Sequence, residues 1–216
     1  MFHGIVQYAF FLPMCGSAHW RVFMLTLSNR HQFIIAFILI AVMAITRGHH
    51  FASLSHLPSA TLALFFLAGL YLSGKWMFGV LLAEAALLDY LSMTFGGGSS
   101  FCASPAYALL LPAYGTLYLA GRWYKQQYQF KLSTLLPLSA SLIVATAISK
   151  VFSSGGFYLF SGRYADQTWV EFGERFVKYY PSSLSNLAFY IAIAIICHVL
   201  VVSLTKTATK QSGYQS

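Results

Sequence analysis

Long uninterrupted apolar segments are the feature that most limits what this chain can fold into. A clear example is FIIAFILIAVMAIT, within residues 31–46. Only 8% of the 216 residues are charged and 58% are hydrophobic, whereas soluble domains carry about 25% charged residues. Most of these segments lack the polar face that a helix of a soluble protein turns toward water. We therefore predict an all-α integral membrane protein.

Six segments have the composition of a transmembrane helix. They cover residues 31–46, 59–73, 76–95, 105–120, 133–151 and 184–204, and the second is shorter than the others; a bilayer requires about 20 residues. The chain is thereby divided into an N-terminal interfacial arm (1–30), a six-helix membrane domain (31–204) and a cytoplasmic C-terminal tail (205–216). The arm lacks the basic start and small-residue cleavage site of a secretory signal. It is also compatible with translation that begins at Met24, which would make residues 1–23 a gene-prediction artefact.

The distribution of Lys and Arg predicts the orientation of these spans. With six spans both termini lie on one side, which carries eight of the 13 Lys and Arg residues, and the other side carries five. Because basic residues are enriched in cytoplasmic loops, both termini are predicted to be cytoplasmic. The net charge of +8 is scattered through loops, so we assign it to topology and anionic membrane lipid rather than to nucleic acid. Residues 47–58, 96–104 and 152–183 then form the outer loops.

Cys102 has the surroundings that most suggest chemistry. The segment FGGGSSFCASP places it between three glycines, at 96–98, and Pro105. The glycines allow a large ligand to approach the backbone, and the proline restarts a helix. A helix N-terminus favours the thiolate, which is a soft metal ligand and a nucleophile. The competing interpretation is a small buried apolar residue, and we assign Cys15 and Cys197 to that class.

Three histidines of the first predicted outer loop are candidates for the same site. His49, His50 and His56 would be metal ligands or donors to a polar ligand, because neutral imidazole commonly binds metals. Their alternative role is that of polar residues at the membrane interface. A zinc site formed by Cys102 and two of these histidines is compatible with the sequence but is not determined by it.

Two acids lie inside the predicted spans. Carboxylates within a membrane are costly and usually face a protein interior or a cavity. Asp89 is near the outer end of the third span, where we expect it to line the pocket beneath the cysteine turn with Arg47 as its partner. Glu84, near the middle of that span, is interpreted as a structural anchor, with a proton site as the alternative.

Aromatic residues gather in and beside the predicted outer loops. They would form either an aromatic belt at the membrane interface or the walls that grip a large flat ligand. The glycines of SSGGFYLFSGRY favour the second interpretation, because glycines suit a mobile lid and an aromatic belt does not need them. We expect residues 153–164 to form this lid. The aromatic set comprises Phe101, Tyr107, Phe157, Tyr158, Phe160 and Tyr164.

Several segments together resemble the BtuM family of solitary S-components, of the energy-coupling-factor (ECF) type, for vitamin B12 (cobalamin). The resemblance covers residues 31–204 and includes both the cysteine turn and the predicted lid. The segments are RGHHF (47–51), LSHLPSATLALFFLAGLYL (54–72), TFGGGSSFCASPAYALLLPAYG (94–115), AGRWY (120–124) and FYLFSGRY (157–164).

The resemblance implies a six-helix S-component bundle in the bacterial inner membrane, with a cobalamin pocket open to the periplasmic side. It implies uptake of cobalamin from a periplasmic or outer-membrane corrinoid supply. Cys102 would ligate the cobalt on the upper face of the corrin and would be linked with decyanation of cyanocobalamin. Further ligand contacts are expected from His49, His50, Asp89, Phe101, Tyr107, Phe157, Tyr158, Arg163 and Tyr164.

The first span departs from the pattern of energy-coupling S-components. These proteins commonly dock a shared transmembrane partner through small residues spaced four apart, and in FIIAFILIAVMAITRG only Ala44 and Gly48 keep that spacing. Docking to a shared energising module is therefore in doubt, which agrees with a solitary transporter. The sequence has no GxxxxGK[ST] phosphate loop, so no nucleotide is expected to bind.

Two alternative functions remain open at this point. One is a divalent-metal carrier that uses Cys102 and the loop histidines. The other is a membrane enzyme for which decyanation by the thiolate is the main activity and transport is secondary.

Overall fold

The computed structural model describes residues 28–47, 58–95, 105–129, 131–162, 164 and 167–212, with side chains through residue 203. The residues in these ranges form helices and short connections, without a strand. In chain order the helices are α1 (Asn29–Arg47), α2 (Thr61–Tyr71), α3 (Trp76–Phe95), α4 (Leu110–Gln127), α5 (Leu135–Phe160) and α6 (Trp169–Ser212). Short 3-10 helices precede α4 (Pro105–Leu109, here called the Pro105 turn) and α5 (Leu132–Thr134). The predicted all-α class is confirmed, and the arm up to residue 27 lies outside the described ranges.

Four helical segments in the described part of the chain are long and apolar enough to cross a membrane. They are Asn29–Arg47, Trp76–Phe95, Leu132–Phe160 and Trp169–Ser203. The first and third predicted spans therefore agree closely with α1 and α3. The 11 residues of α2 rise only about 16 Å, and α4 extends past residue 120 into the polar sequence GRWYKQQ. Neither of these two helices has both the length and the apolarity of a spanning helix.

The region predicted to be a long outer loop, residues 152–183, is mostly helical. α5 continues to Phe160, past its predicted end at residue 151, and α6 begins at Trp169, before its predicted start at residue 184. The prediction of a mobile lid at 153–164 is therefore wrong for residues 153–160. The glycines serve close packing instead, because a Cβ atom at Gly156 would collide with Leu109 and one at Gly155 would contact Phe172. Only Gly162, with φ +67°, uses the conformational freedom of glycine in a turn.

Successive helices run in opposite directions, which gives the bundle two ends. At one end, Arg47 of α1 contacts Thr61 at the start of α2. At the opposite end, Gln32 of α1 accepts a hydrogen bond from the backbone of Ser73, just after α2. We call the first the Arg47 end and the second, where His198 of α6 lies near Tyr71, the His198 end.

The short helix α2 forms the core of the bundle, with α1, α3, α4 and α6 packed around it. Nine of its residues are buried, including Phe65 and Phe66, which are fully enclosed. A helix that is apolar on every face must be buried in protein or in lipid. Here the surrounding helices cover most of its surface.

α2 and α4 cross in direct backbone contact at a pair of glycines. A Cβ atom on Gly69 would overlap the carbonyl oxygen of Tyr118, and one on Gly121 would overlap the carbonyl oxygen of Phe66. Lipid tails are as apolar as the helices, so helix association in a membrane depends on such close approach rather than on exclusion of water. The two glycines therefore fix the distance between the two helices.

Replacing Gly121 by alanine is expected to lower the free energy of unfolding by about 1–3 kcal/mol, because the methyl group forces the helices apart. Thermal unfolding of the purified protein in detergent measures this loss. The matched control is Gly79→Ala on α3, where no side chain or neighbouring helix lies within 4 Å of the added Cβ. That control should leave stability unchanged or raise it slightly, since alanine favours helix. Equal effects of the two substitutions would contradict the proposed contact.

Candidate functional site

The candidate site is built around the guanidinium of Arg47, the last residue of α1. Its Nε donates to Oδ1 of Asp89 at 2.7 Å and its Nη2 donates to Oδ2 at 2.6 Å. Its Nη1 donates to Oγ1 of Thr61 at 3.1 Å and to the hydroxyl of Tyr114 at 3.2 Å. Most of the five N–H groups of the fork therefore have partners. The pairing of Arg47 with Asp89 predicted from the sequence is confirmed.

Hydroxyl groups extend this network to neighbouring elements. Tyr107, in the Pro105 turn, donates to Oδ2 of Asp89 at 2.9 Å. Ser59 lies 3.1 Å from Oγ1 of Thr61 through its own Oγ. The network thus joins α1, α2, α3, the Pro105 turn and α4, and we call it the Arg47 network. The side chains of Arg47 and Asp89 are only 14% and 19% exposed, so each charge depends on the other for compensation.

An aromatic layer lies beneath the Arg47 network, on the side of the bundle interior. Tyr114 stacks on Phe65 with a centroid distance of 4.6 Å and an interplanar angle of 8°. Phe78 meets Phe65 edge-on at 5.6 Å. The stacking holds the Tyr114 ring, so its hydroxyl is presented to Arg47, whose Cζ lies 5.9 Å from the same ring. Packing therefore determines which hydroxyl the guanidinium reaches.

The structure brings together Asp89 and Tyr107, two of the predicted ligand contacts. Asp89 accepts two hydrogen bonds from Arg47 and one from Tyr107. This carboxylate is thus occupied by groups of the protein itself. The contacts assign both side chains a structural role at the Arg47 end, and their contact with a ligand stays a prediction.

The predicted aromatic contacts at the end of α5 form a cluster with the start of α6. Tyr158 is 4% exposed; its hydroxyl lies 3.0 Å from Oε2 of Glu171 and accepts from the backbone N–H of Thr168 at 2.8 Å. Tyr158 thus holds the two helices together rather than facing an open cleft. Because Gly156 packs against Leu109 of the Pro105 turn, the cluster lies at the Arg47 end.

Tyr164 is the more accessible aromatic residue of this cluster. Arg175 lies 4.4 Å from the centre of its ring and donates to its hydroxyl at 3.1 Å. Phe157 meets the same ring edge-on, with centroids 6.4 Å apart. Arg175 is in turn paired with Glu171, at 2.8 Å, in an ion pair that is more than a third exposed. Phe157 and Tyr164 are both partly exposed at this end, whereas Phe160 is exposed.

Five of the predicted ligand contacts, Cys102, His49, His50, Phe101 and Arg163, lie outside the described residues, as do His56 and Cys15. The residues that flank them are described. Residues 48–57 connect Arg47 to Pro58, and residues 96–104 connect Phe95 to Pro105. Both connections therefore begin and end at the Arg47 end of the bundle. In the described ranges, no group of three or more His, Cys, Asp or Glu residues is placed to hold a metal ion.

Two further predictions are tested by individual side chains. Cys197 is exposed on the outer face of α6, so its interpretation as a buried residue is wrong. Glu84 lies on α3, and its Oε2 is buried without a hydrogen-bond partner among the described residues. This oxygen therefore forms no hydrogen bond that would hold another described residue in place.

Sequence reasoning missed Thr61, Tyr114 and Ser59, which complete the Arg47 network. A signal was present, because Ser59 and Thr61 place hydroxyl groups at the start of an otherwise apolar helix. That Thr61 would accept from Arg47 could not be identified without the packing of α1 against α2.

No protein-family model matches the chain, and no curated protein matches it in sequence. At the Arg47 end, a largely buried ion pair with hydroxyl partners joins four helices and the Pro105 turn. Such a group of residues can hold the ends of two chain segments in place.

Replacing Asp89 by alanine is expected to destabilise the protein by about 3 kcal/mol, because Arg47 is left unpaired in a largely buried position. Thermal unfolding in detergent measures the loss. The double substitution of Arg47→Met with Asp89→Leu should recover much of it, since no charge then remains. Arg175→Gln, which breaks the exposed pair with Glu171, is the control and should have a smaller effect. A double variant less stable than Asp89→Ala would contradict this account.

Proposed function

We propose that this protein binds cobalamin and takes it up across the bacterial inner membrane, as a six-span S-component of the BtuM type. In this proposal α2 and α4 complete the set of six spans together with the four long apolar helices. The His198 end would face the cytoplasm, because it carries Arg30, Lys75, Lys125 and Lys131, and basic residues are retained on that side. Both termini would then be cytoplasmic and the Arg47 end would face the periplasm.

The observation that carries the proposal is the position of the Arg47 network between the two ends of the cysteine segment. Residues 96–104 leave α3, whose Asp89 is held by Arg47, and enter the Pro105 turn, whose Tyr107 is bonded to the same carboxylate. Cys102 is three residues before Pro105, which a chain spans in at most about 11 Å. The network would thereby support the segment that presents the thiolate.

Thiolate chemistry fits the proposed ligand. Soft sulfur ligands suit soft and borderline transition-metal centres, and cobalt lies at the centre of the corrin ring of cobalamin. Cys102 would bind the cobalt from the periplasmic side, while the three glycines at 96–98 would allow the wide ring to approach the backbone. His49, His50, Phe101 and Arg163 would be further contacts of the ligand.

The aromatic cluster at the α5–α6 connection would form a wall of the pocket. Phe157 and Tyr164 are partly exposed at the Arg47 end, where a flat apolar ligand would contact ring faces. Since residues 153–160 are helical, this wall would be rigid, and Tyr158 would support it from behind through Glu171. A preformed wall lowers the entropic cost of binding, because fewer side chains have to become ordered when the ligand binds.

Protein purified from cells grown with cobalamin is expected to carry a visible corrinoid spectrum that Cys102→Ala alters or abolishes, because the cobalt–sulfur bond is lost. Absorption spectroscopy after size-exclusion chromatography measures it. Cys197→Ala is the matched control and should keep the full spectrum, since Cys197 is exposed on the outer face of α6. Colourless wild-type protein would overturn the proposal. Stoichiometric zinc or cobalt in corrin-free protein would favour the metal carrier instead.

Growth that depends on cobalamin, in cells lacking every other uptake route, is expected to require this protein and to be lost with Cys102→Ser. A parallel assay of cyanocobalamin turnover in detergent with excess thiol separates transport from decyanation. Loss of turnover in Cys102→Ser together with normal uptake would favour the enzyme as the main function. Uptake by the protein without any dependence on Cys102 would contradict the proposed role of the thiolate.

A further inference from the structure

A concave feature lies at the His198 end, away from the Arg47 network. A pocket of about 280 Å³ opens between α2, α4, α5 and α6. α2 contributes one face to the pocket, and the connection between α4 and α5 lines it as well, through Gln129 and Leu132. The walls are apolar and combine aliphatic side chains, among them Leu70, Ile191 and Ala194, with the rings of Phe66, Tyr124 and Tyr128.

The polar groups inside this pocket bind one another. The hydroxyl of Tyr128 lies 2.8 Å from Nε2 of His198, and the hydroxyl of Tyr71 lies 3.5 Å from Nδ1. Tyr124 donates to the backbone carbonyl of Thr134 at 3.2 Å. Both imidazole nitrogens thus have a hydroxyl neighbour. A polar ligand in this pocket would lose its hydrogen bonds to water and find few new ones, which costs free energy. The interior of the pocket therefore suits an aliphatic group.

The rim of the pocket has the opposite character, because it is basic. Lys131 lies at the rim and is exposed, and it is the cation that lines the pocket in the described part of the chain. The sequence contains no Asp or Glu between residues 90 and 165. In the described ranges, the two ion pairs both lie at the Arg47 end. The positive charge of this rim is therefore not balanced by acids of the surrounding helices.

We propose that this pocket binds an acyl chain of an anionic phospholipid, with the lipid phosphate at Lys131. An apolar cavity with the exposed cation of Lys131 at its rim matches the two parts of such a molecule, and basic residues at a membrane surface attract anionic lipid. A partner helix is a poorer fit, since a helix is about 10 Å wide and the cavity is bounded by four helices. The proposal is independent of cobalamin binding.

Native mass spectrometry of the delipidated full-length protein, titrated with phosphatidylglycerol or with phosphatidylcholine of the same acyl chains, tests this site. One phosphatidylglycerol molecule is expected to bind more tightly than phosphatidylcholine. Lys131→Gln should weaken phosphatidylglycerol about fivefold and leave phosphatidylcholine unchanged, as one cation near a phosphate is lost. Lys178→Gln, at the other end of the bundle, is the charge control and should change neither.

Filling the cavity tests the acyl chain separately. Ala194→Phe should reduce retention of both lipids, whereas Ala192→Phe, on the exposed side of α6, should not. Should Ala194→Phe fail to fold, Lys131→Gln decides the question, because Lys131 is exposed. Equal retention of the two lipids in wild type, unchanged by Lys131→Gln, would overturn the proposal. A protein segment crosslinked inside the pocket in place of lipid would also overturn it.

Discussion

One charged side chain in an apolar bundle sets the arrangement at the Arg47 end. A guanidinium that is largely withdrawn from water needs a carboxylate and further acceptors, because its charge is costly in a membrane without them. Asp89 supplies the bidentate partner, and Thr61 and Tyr114 accept the remaining hydrogen bonds. These contacts fix the height of α1, α3 and α4 relative to the start of α2. The segments that contain His49, His50 and Cys102 begin and end at this fixed frame.

The short central helix explains why the bundle has a distinct feature at each end. α2 covers only part of the thickness of a bilayer, and the direct contact of Gly69 with α4 keeps it deep between its neighbours. Its N-terminal end is closed by the polar Arg47 network. Its C-terminal half lines an apolar pocket with Lys131 at the rim. The polar network and the apolar pocket are therefore separate features at the two ends of the bundle.

The glycines near the end of α5 illustrate how far sequence reasoning reaches. A pair of adjacent glycines beside aromatic residues is compatible with a mobile lid and equally with close helix packing. Gly156 belongs to the second class, because Leu109 occupies the space that a side chain would need, and Gly155 lies in the same helix against Phe172. The same ambiguity applies to Gly69 and Gly121, whose contact joins residues far apart in the chain. Only the atoms that surround a glycine show whether it makes the backbone flexible or allows two helices to approach closely.

The sequence by itself determined the all-helical class, the apolar segments of α1 and α3, and the pairing of Arg47 with Asp89. The helical class and the apolar segments follow from composition, which can be read within one segment. The ion pair follows from the cost of an isolated charge, because the spans contain few charges that could be its partner. Tertiary structure decided the hydroxyl partners of Arg47, the extension of α5 and α6, and the outward position of Cys197. The physical reason is that each of these depends on which surfaces of two distant helices meet. A single apolar segment carries little information about that, because every face of it is compatible with lipid and with protein alike.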